Sequence, residues 1–177
     1  VSRGLGDVYK RQAGIRPGSK EGRRILFVGR NFVRKGGPLV VQAFTILRKK
    51  YLWSAELYLA GAKESDIRDA LRERQIRVEE VDWQKIHLLG DLGSEKLTDY
   101  YNLCDVFCMP SYFEAYGLAF AEALTYGLPC IGRDKFAMSE FIEDGCTGRL
   151  ISGEDAEELA LDLWEVCLLY TSGRCRR

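Results

Sequence analysis

Histidine is nearly absent from this chain: His87 is the single one among 177 residues. Six cysteines are present, yet no two of them form a Cys-x-x-Cys pair. The ligand sets of structural zinc are therefore missing, and no metal site is expected. No apolar run approaches the roughly 18 residues that a membrane-spanning helix needs. The chain does not open on a basic segment, an apolar segment and a small-residue cleavage site, so nothing argues for secretion. Basic and acidic residues balance at 26 each, which removes the strong positive excess of a nucleic-acid binder. What is present is ordinary for one globular domain: 46% hydrophobic and 29% charged residues. Cys104, Cys108 and Cys130 lie in or beside apolar segments and read as small buried hydrophobes in a reduced, cytoplasmic setting.

The two ends read differently from the middle. Asp7–Gln12 is DVYKRQ and Cys167–Ser172 is CLLYTS. One codon choice for the first, GAT GTG TAT AAG AGA CAG, has a reverse complement that translates from its second base as CLLYTS. The two hexapeptides thus read as one short DNA element translated in opposite orientations, as from a sequencing-library tag; the alternative is coincidence. On this reading 1–12 and 167–177 are non-native, and 13–166 is the domain. The ends hold six basic residues and one acidic, so 13–166 keeps 20 basic and 25 acidic residues, a net charge of about −5.

Short apolar runs alternate with helix-like segments. Strands are expected at Ile25–Gly29, Glu56–Ala60, Ile86–Leu89, Val106–Met109, Pro129–Gly132 and Gly148–Ile151. A helix opens at Gly36-Gly37-Pro38, with proline in its first turn. Others are expected over Glu64–Arg77, Ser94–Leu103 with Ser94 as N-cap, Leu118–Tyr126, Met138–Glu143 and Asp155–Val166. This alternation predicts an α/β fold with a doubly wound parallel sheet of about six strands and helices on both faces. Ligands of such folds bind at the carboxyl ends of the strands, where the strand order reverses.

Three features carry chemistry. Glu114 and Glu122 stand eight residues apart in an apolar and aromatic run with no basic neighbour. Each either faces water or meets a ligand's hydroxyl groups. The loop Tyr112–Gly117 leaves a buried strand and feeds a helix N-terminus. Free amides there favour an anion, and Gly117 allows close backbone approach; an ordinary strand–helix turn is the plainer reading. In VGRNFVRKGG (Val28–Gly37), Arg30 and Lys35 follow the first strand. They either hold a diphosphate or are simply solvated. No glycine stands five residues before a Lys-Ser or Lys-Thr pair, so this is not a P-loop, and the glycine fingerprint of an NAD(P) oxidoreductase is missing too. His87, on a strand between Ile86 and Leu88, reads as structural.

Taken together, ILFVGRNFVRKGG, YYNLCDVFCMPSYFEAYGLAFAEALTYGLPCIG and FIEDGCTGRLI, within Ile25–Ile151, resemble the retaining glycosyltransferases of family 4 (group 1). The similarity is to their C-terminal, Rossmann-like, nucleotide-sugar-binding domain. It implies a glycosyltransferase-B architecture with two such domains facing a cleft, and a hexosyltransferase-type activity. Glu122 would bind ribose hydroxyls and Glu114 would lie by the donor sugar. Arg30 and Lys35 would hold the diphosphate, with Gly29 and the backbone of Ala115, Tyr116, Gly117 and Leu118 lining the same site. Arg30, Lys35 and Glu114 would be the catalytic set. No cofactor or metal is implied; the donor would be a UDP-, GDP- or ADP-sugar.

The partners implied are the family's N-terminal domain and an acceptor glycan, lipid or small molecule, with no nucleic acid. That half, outside this sequence, would bring any peripheral association with the inner membrane face, and this half would be inactive alone. Ala115 stands where the family often has glycine, and Lys135-Phe136-Ala137-Met138 replaces its common Gly-Gly, in a loop that faces the donor sugar. Two other readings compete. A nucleotide-binding regulatory module would use the same residues without transfer. A glycosidase would need its two carboxylates to flank one bond, and the diphosphate-ready loops favour transfer.

Overall fold

The computed structural model of the protein describes residues 23–169. Six strands follow in chain order: β1 Arg24–Val28, β2 Glu56–Ala60, β3 Ile86–Gly90, β4 Val106–Cys108, β5 Cys130–Arg133 and β6 Gly148–Ile151. The helices are α1 Gly37–Lys50, α2 Glu64–Glu73, α3 Ser94–Leu103, α4 Leu118–Thr125, α5 Met138–Phe141 and α6 Ala156–Leu169. Every pairing is parallel, and the strand order is β3-β2-β1-β4-β5-β6. The expected doubly wound, Rossmann-like sheet is therefore present, with six strands.

The physical reason lies in the strand sequences. Ile25, Leu26 and Phe27 are all fully buried, as are Val106, Phe107 and Cys108. Both faces of β1 and β4 need cover, which suits central strands of a parallel sheet. Right-handed crossovers put α1 and α2 on one face and, once the winding direction reverses after β3, α3 and α4 on the other. On that second face Tyr101 of α3 stacks on Tyr126, just past α4, with ring centroids 5.5 Å apart. On the first face α6 returns to pack along α1. Leu39, Val40, Ala43, Phe44 and Leu47 form the buried stripe of α1, and Leu159, Ala160, Leu163 and Val166 that of α6. Helix α1 closes on Arg48, Lys49 and Lys50, where positive charge suits the carbonyl end.

Several boundaries differ from the sequence expectations. Helix α2 stops at Glu73 rather than Arg77, because Gln75 turns into the left-handed region (φ 58°) and Ile76 N–H donates back to Leu71 O at 2.9 Å. Two short 3-10 turns, Val78–Glu80 and Trp83–Lys85, follow it. Gly93, not Ser94, is the N-cap of α3, and no side chain caps that helix. Asp155 caps α6 instead: its Oδ1 accepts Glu157 N–H at 2.8 Å. Helix α5 ends at Phe141, two residues early. Helix α6 runs three residues beyond the boundary drawn at 166, and Cys167 is buried. The rest of the two tag segments lies outside the described residues. Cys104, Cys108 and Cys130 are fully buried free thiols, as expected.

The strand order reverses between β1 and β4. The loops leaving their carboxyl ends, residues 29–36 and 109–117, therefore meet at the one place in the sheet where a crevice opens.

Candidate functional site

The first loop is a tight turn built on a buried ring. Phe32 is 4% exposed, and Gly37, with no side chain, lies against it. Lys35 N–H donates to Asn31 O at 3.0 Å and Gly36 N–H to Val33 O at 3.0 Å. Gly36 adopts φ 81°, and a Cβ there would sit 2.3 Å from Pro110 O. Only glycine lets the two loops touch at that point. Arg34 completes the junction through its backbone: its carbonyl accepts Tyr112 N–H at 2.9 Å, and Ser111 Oγ lies 3.3 Å from it.

The second loop follows β4 and delivers Glu114. Ser111, fully buried, donates from Oγ to Phe113 O at 2.9 Å. The Glu114 side chain is 9% exposed; Lys35 Nζ donates to its Oε1, and Arg34 Nη1 lies 3.8 Å from the same oxygen. Arg34 also donates to Phe113 O. Gly117 caps α4 in the left-handed region (φ 62°), with no side-chain cap, so the first amides of α4 stay available.

These groups line one open pocket of about 620 Å³: Arg34, Lys35, Phe113, Glu114, Ala115, Tyr116, Gly117, Leu118, Ala119 and Glu122. Glu122 is exposed, and Tyr101 Oη donates to its Oε2 at 3.0 Å. Burial, with the Glu122 carboxylate beside it, pushes the Tyr101 phenol far above its ordinary range, so it remains a donor. One wall thus presents a carboxylate fixed by a half-buried cation, and another a carboxylate fixed by a buried phenol. Between them lie a helix N-terminus and two cationic side chains. Such a cavity can hold a ligand that is anionic in its middle and carries hydroxyl groups at its ends.

The structure brings Lys35, Glu114, Ala115, Tyr116, Gly117, Leu118 and Glu122 together. Gly29 lies beneath them, where a Cβ would press to 2.7 Å on Lys35 Cγ. Arg30 is not in the pocket lining: its side chain is 80% exposed, and its Nε donates to Asp91 Oδ1 at 3.0 Å. The expectation that Glu114 lacks a basic partner is corrected, because that partner comes from 79 residues away. Arg34 was missed; its only sequence signal was a second basic residue beside Lys35. His87 stacks on Tyr58, ring centroids 4.3 Å apart, and meets Glu56 at 3.1 Å, a structural setting outside the pocket. Among the described residues no group of three or more His, Cys, Asp or Glu could hold a metal ion, and no helix is long and apolar enough to cross a membrane.

Comparison with known proteins gives a consistent answer. The sequence pattern described as "Glycosyl transferases group 1" matches residues 22–167. The D-inositol 3-phosphate glycosyltransferase of Paenarthrobacter aurescens is 30% identical over 156 residues, covering 83% of this chain and 35% of the relative. An uncharacterized 41.2 kDa protein in the cps region of Klebsiella pneumoniae is 28% identical over 170 residues, covering 89% and 44%. The chain thus spans less than half the length of these curated relatives. Among solved structures, sucrose-phosphate synthase from Thermosynechococcus elongatus superposes with a TM-score of 0.73 at 25% identity, covering 96% of this chain and 41% of that one. The pneumococcal O-GlcNAc transferase GtfA, solved in complex with UDP and GlcNAc, gives 0.64 at 26% identity, covering 89% and 31%. With pattern, relatives and fold in agreement over nearly all the described residues, the chain belongs to the group 1 glycosyl transferases.

Proposed function

We propose that this chain is the donor-binding half of a retaining glycosyltransferase, which takes a sugar from a nucleoside diphosphate and passes it to an acceptor hydroxyl. The observation that carries the reading is the pocket at the strand-order reversal, where Lys35, Arg34, the α4 N-terminus, Glu114 and Glu122 converge. Glu122, steadied by Tyr101, accepts hydrogen bonds from ribose hydroxyls. Lys35 and the α4 amides face the diphosphate, and Glu114 lies by the sugar. Breaking the anomeric C–O bond leaves negative charge on the diphosphate; preorganised cations and amide dipoles stabilise it as it develops. The sugar becomes oxocarbenium-like and is attacked on the face it leaves from.

Arg30 reaches the ligand by leaving Asp91. That exposed pair is worth at most about 1 kcal/mol, so a diphosphate readily draws the guanidinium across. The second domain of the longer relatives would add the acceptor site, and this half alone binds donor without transferring it. The GtfA complex with UDP supports a UDP-sugar as the first donor to try. The test is calorimetric titration of the chain with UDP-, GDP- and ADP-sugars. Binding of one class, weakened by Glu122→Ala, is the expected outcome; no binding of any of the three overturns the reading. A nucleotide-binding regulatory module remains the second reading. It is favoured if the full-length protein, Glu114 and Lys35 intact, binds donor but hydrolyses and transfers nothing.

A further inference from the structure

The carboxyl edge of the sheet holds a buried charge that the pocket lining does not include. Arg133, the last residue of β5, is 4% exposed. An arginine stays ionised, and burying one without a carboxylate is costly. Among the described residues no acidic side chain pairs with it. Nη1 donates to Gly153 O at 2.9 Å and Nη2 to Pro110 O at 3.4 Å, while Nε has no partner at all. The guanidinium carbon lies 4.5 Å from the centroid of the Tyr112 ring. From outside, Arg74 Nη1 donates to Tyr112 Oη at 3.1 Å, and Tyr112 Oη donates to Glu154 Oε2 at 2.9 Å.

Two of Arg133's contacts, at Pro110 and at Tyr112, fall on the loop that carries Glu114. Pro110 is the point where that loop touches Gly36. Tyr112 is the residue whose N–H binds Arg34 O, two residues before Glu114. One guanidinium therefore holds the 110–114 segment from beneath, at a carbonyl and at an aromatic face. It also ties that segment to Gly153 after β6. A leucine or methionine of similar volume would fill the same space without the cost of the charge, so packing alone does not account for an arginine here.

We propose that Arg133 is a positioning residue for the pocket: it fixes the 110–114 segment so that Glu114 meets Lys35, and it places an uncompensated positive charge behind the loop. The ligand part of this inference rests on the nucleotide-sugar reading; the loop part does not. The fork and the charge separate by substitution. Arg133→Met removes both, and Arg133→Lys keeps the charge but loses the planar fork.

The test is amide hydrogen exchange on the full chain, resolved for residues 110–117, together with thermal melts. Loss of the charge-assisted bonds in Arg133→Met should speed exchange at Tyr112 and Phe113 roughly tenfold or more, while the melting temperature stays level or rises. Unchanged exchange in the loop overturns the proposal. So does a fall in melting temperature with exchange raised evenly over the whole sheet, which would mark a merely structural residue. Calorimetry with UDP as the probe supplies the second arm. Affinity should drop roughly tenfold in Arg133→Met and recover part way in Arg133→Lys; equal affinities in all three proteins overturn the charge role. A wild-type chain that binds no UDP, GDP or ADP counts against the nucleotide reading instead, and the exchange arm still decides the clamp.

Discussion

The two sides of this domain bury different things. Under α1 and α6 the sheet meets mainly apolar side chains, Phe44, Leu47, Leu159 and Leu163 among them, all fully buried. At the carboxyl edge, burial encloses charge: Glu114 at 8% and Arg133 at 4% exposure, with Lys35 close behind. On the covered face, loss of a side chain costs volume, and only a side chain can restore it. At the edge, loss of one group strands another, and a second deletion can undo the damage. The edge thus holds its geometry by pairing, which can be rearranged by a ligand, whereas the face holds by packing, which cannot.

The largest effect should come from the face. Phe44→Ala is expected to cost about 3–5 kcal/mol in chemical denaturation, with no second substitution nearby restoring it. At the edge, Glu114→Ala leaves the half-buried Lys35 beside an empty partner and should cost at most about 3 kcal/mol. Adding Lys35→Met should recover most of that stability while abolishing whatever nucleotide-sugar binding calorimetry finds in the wild-type chain. A double variant as unstable as Glu114→Ala would erase the distinction between the two regions.

Asp162 on α6 is the exception on the covered face, and it sharpens the contrast. Burial raises its carboxyl to about 6; Arg149, 3.8 Å away, lowers it only in part. The fold disfavours its ionised form, so its stability contribution is full below the unfolded value near 3.8 and is lost as pH rises through about 6. Asp162→Asn should therefore raise stability at pH 7 by at most about 3 kcal/mol, with the gain vanishing near pH 4 in paired thermal melts. The smallest effect belongs to Phe136, which holds φ 55° while packing edge-on against Phe113, ring centroids 5.0 Å apart. Phe136→Gly relieves about 1–2 kcal/mol of backbone strain and forfeits about 0.5–1.5 kcal/mol of ring contact. A small net gain in melting temperature is expected; a clear loss would show that the turn is held by its side chain.

Much of this was legible in the sequence because it is local. Strand and helix identities follow from apolar runs and periodicity, and Gly36, Pro38 and Gly117 mark the helix starts they occupy. What was not legible depends on residues far apart or on unmarked backbone. Gln75 ends α2 in a conformation that glycine usually signals. Glu114 finds Lys35 across 79 residues, so the sequence showed a carboxylate without a partner. Arg30 carried the motif but turns to Asp91, while its neighbour Arg34, which no pattern marked, lines the pocket. Arg133 gave no sign that it would be buried, since it stands beside Asp134 and Lys135 in a charged run.

The contact between Gly36 and Pro110 O, backed by the bond from Tyr112 to Arg34 O, has a practical side for recombining relatives. A chimera with its crossover anywhere between residues 38 and 108 takes its two pocket loops from different parents. Each loop was shaped against the other's backbone, so such hybrids should fail at this joint even where both halves fold. Exchanges that carry 29–37 and 109–117 as one unit should keep this joint intact.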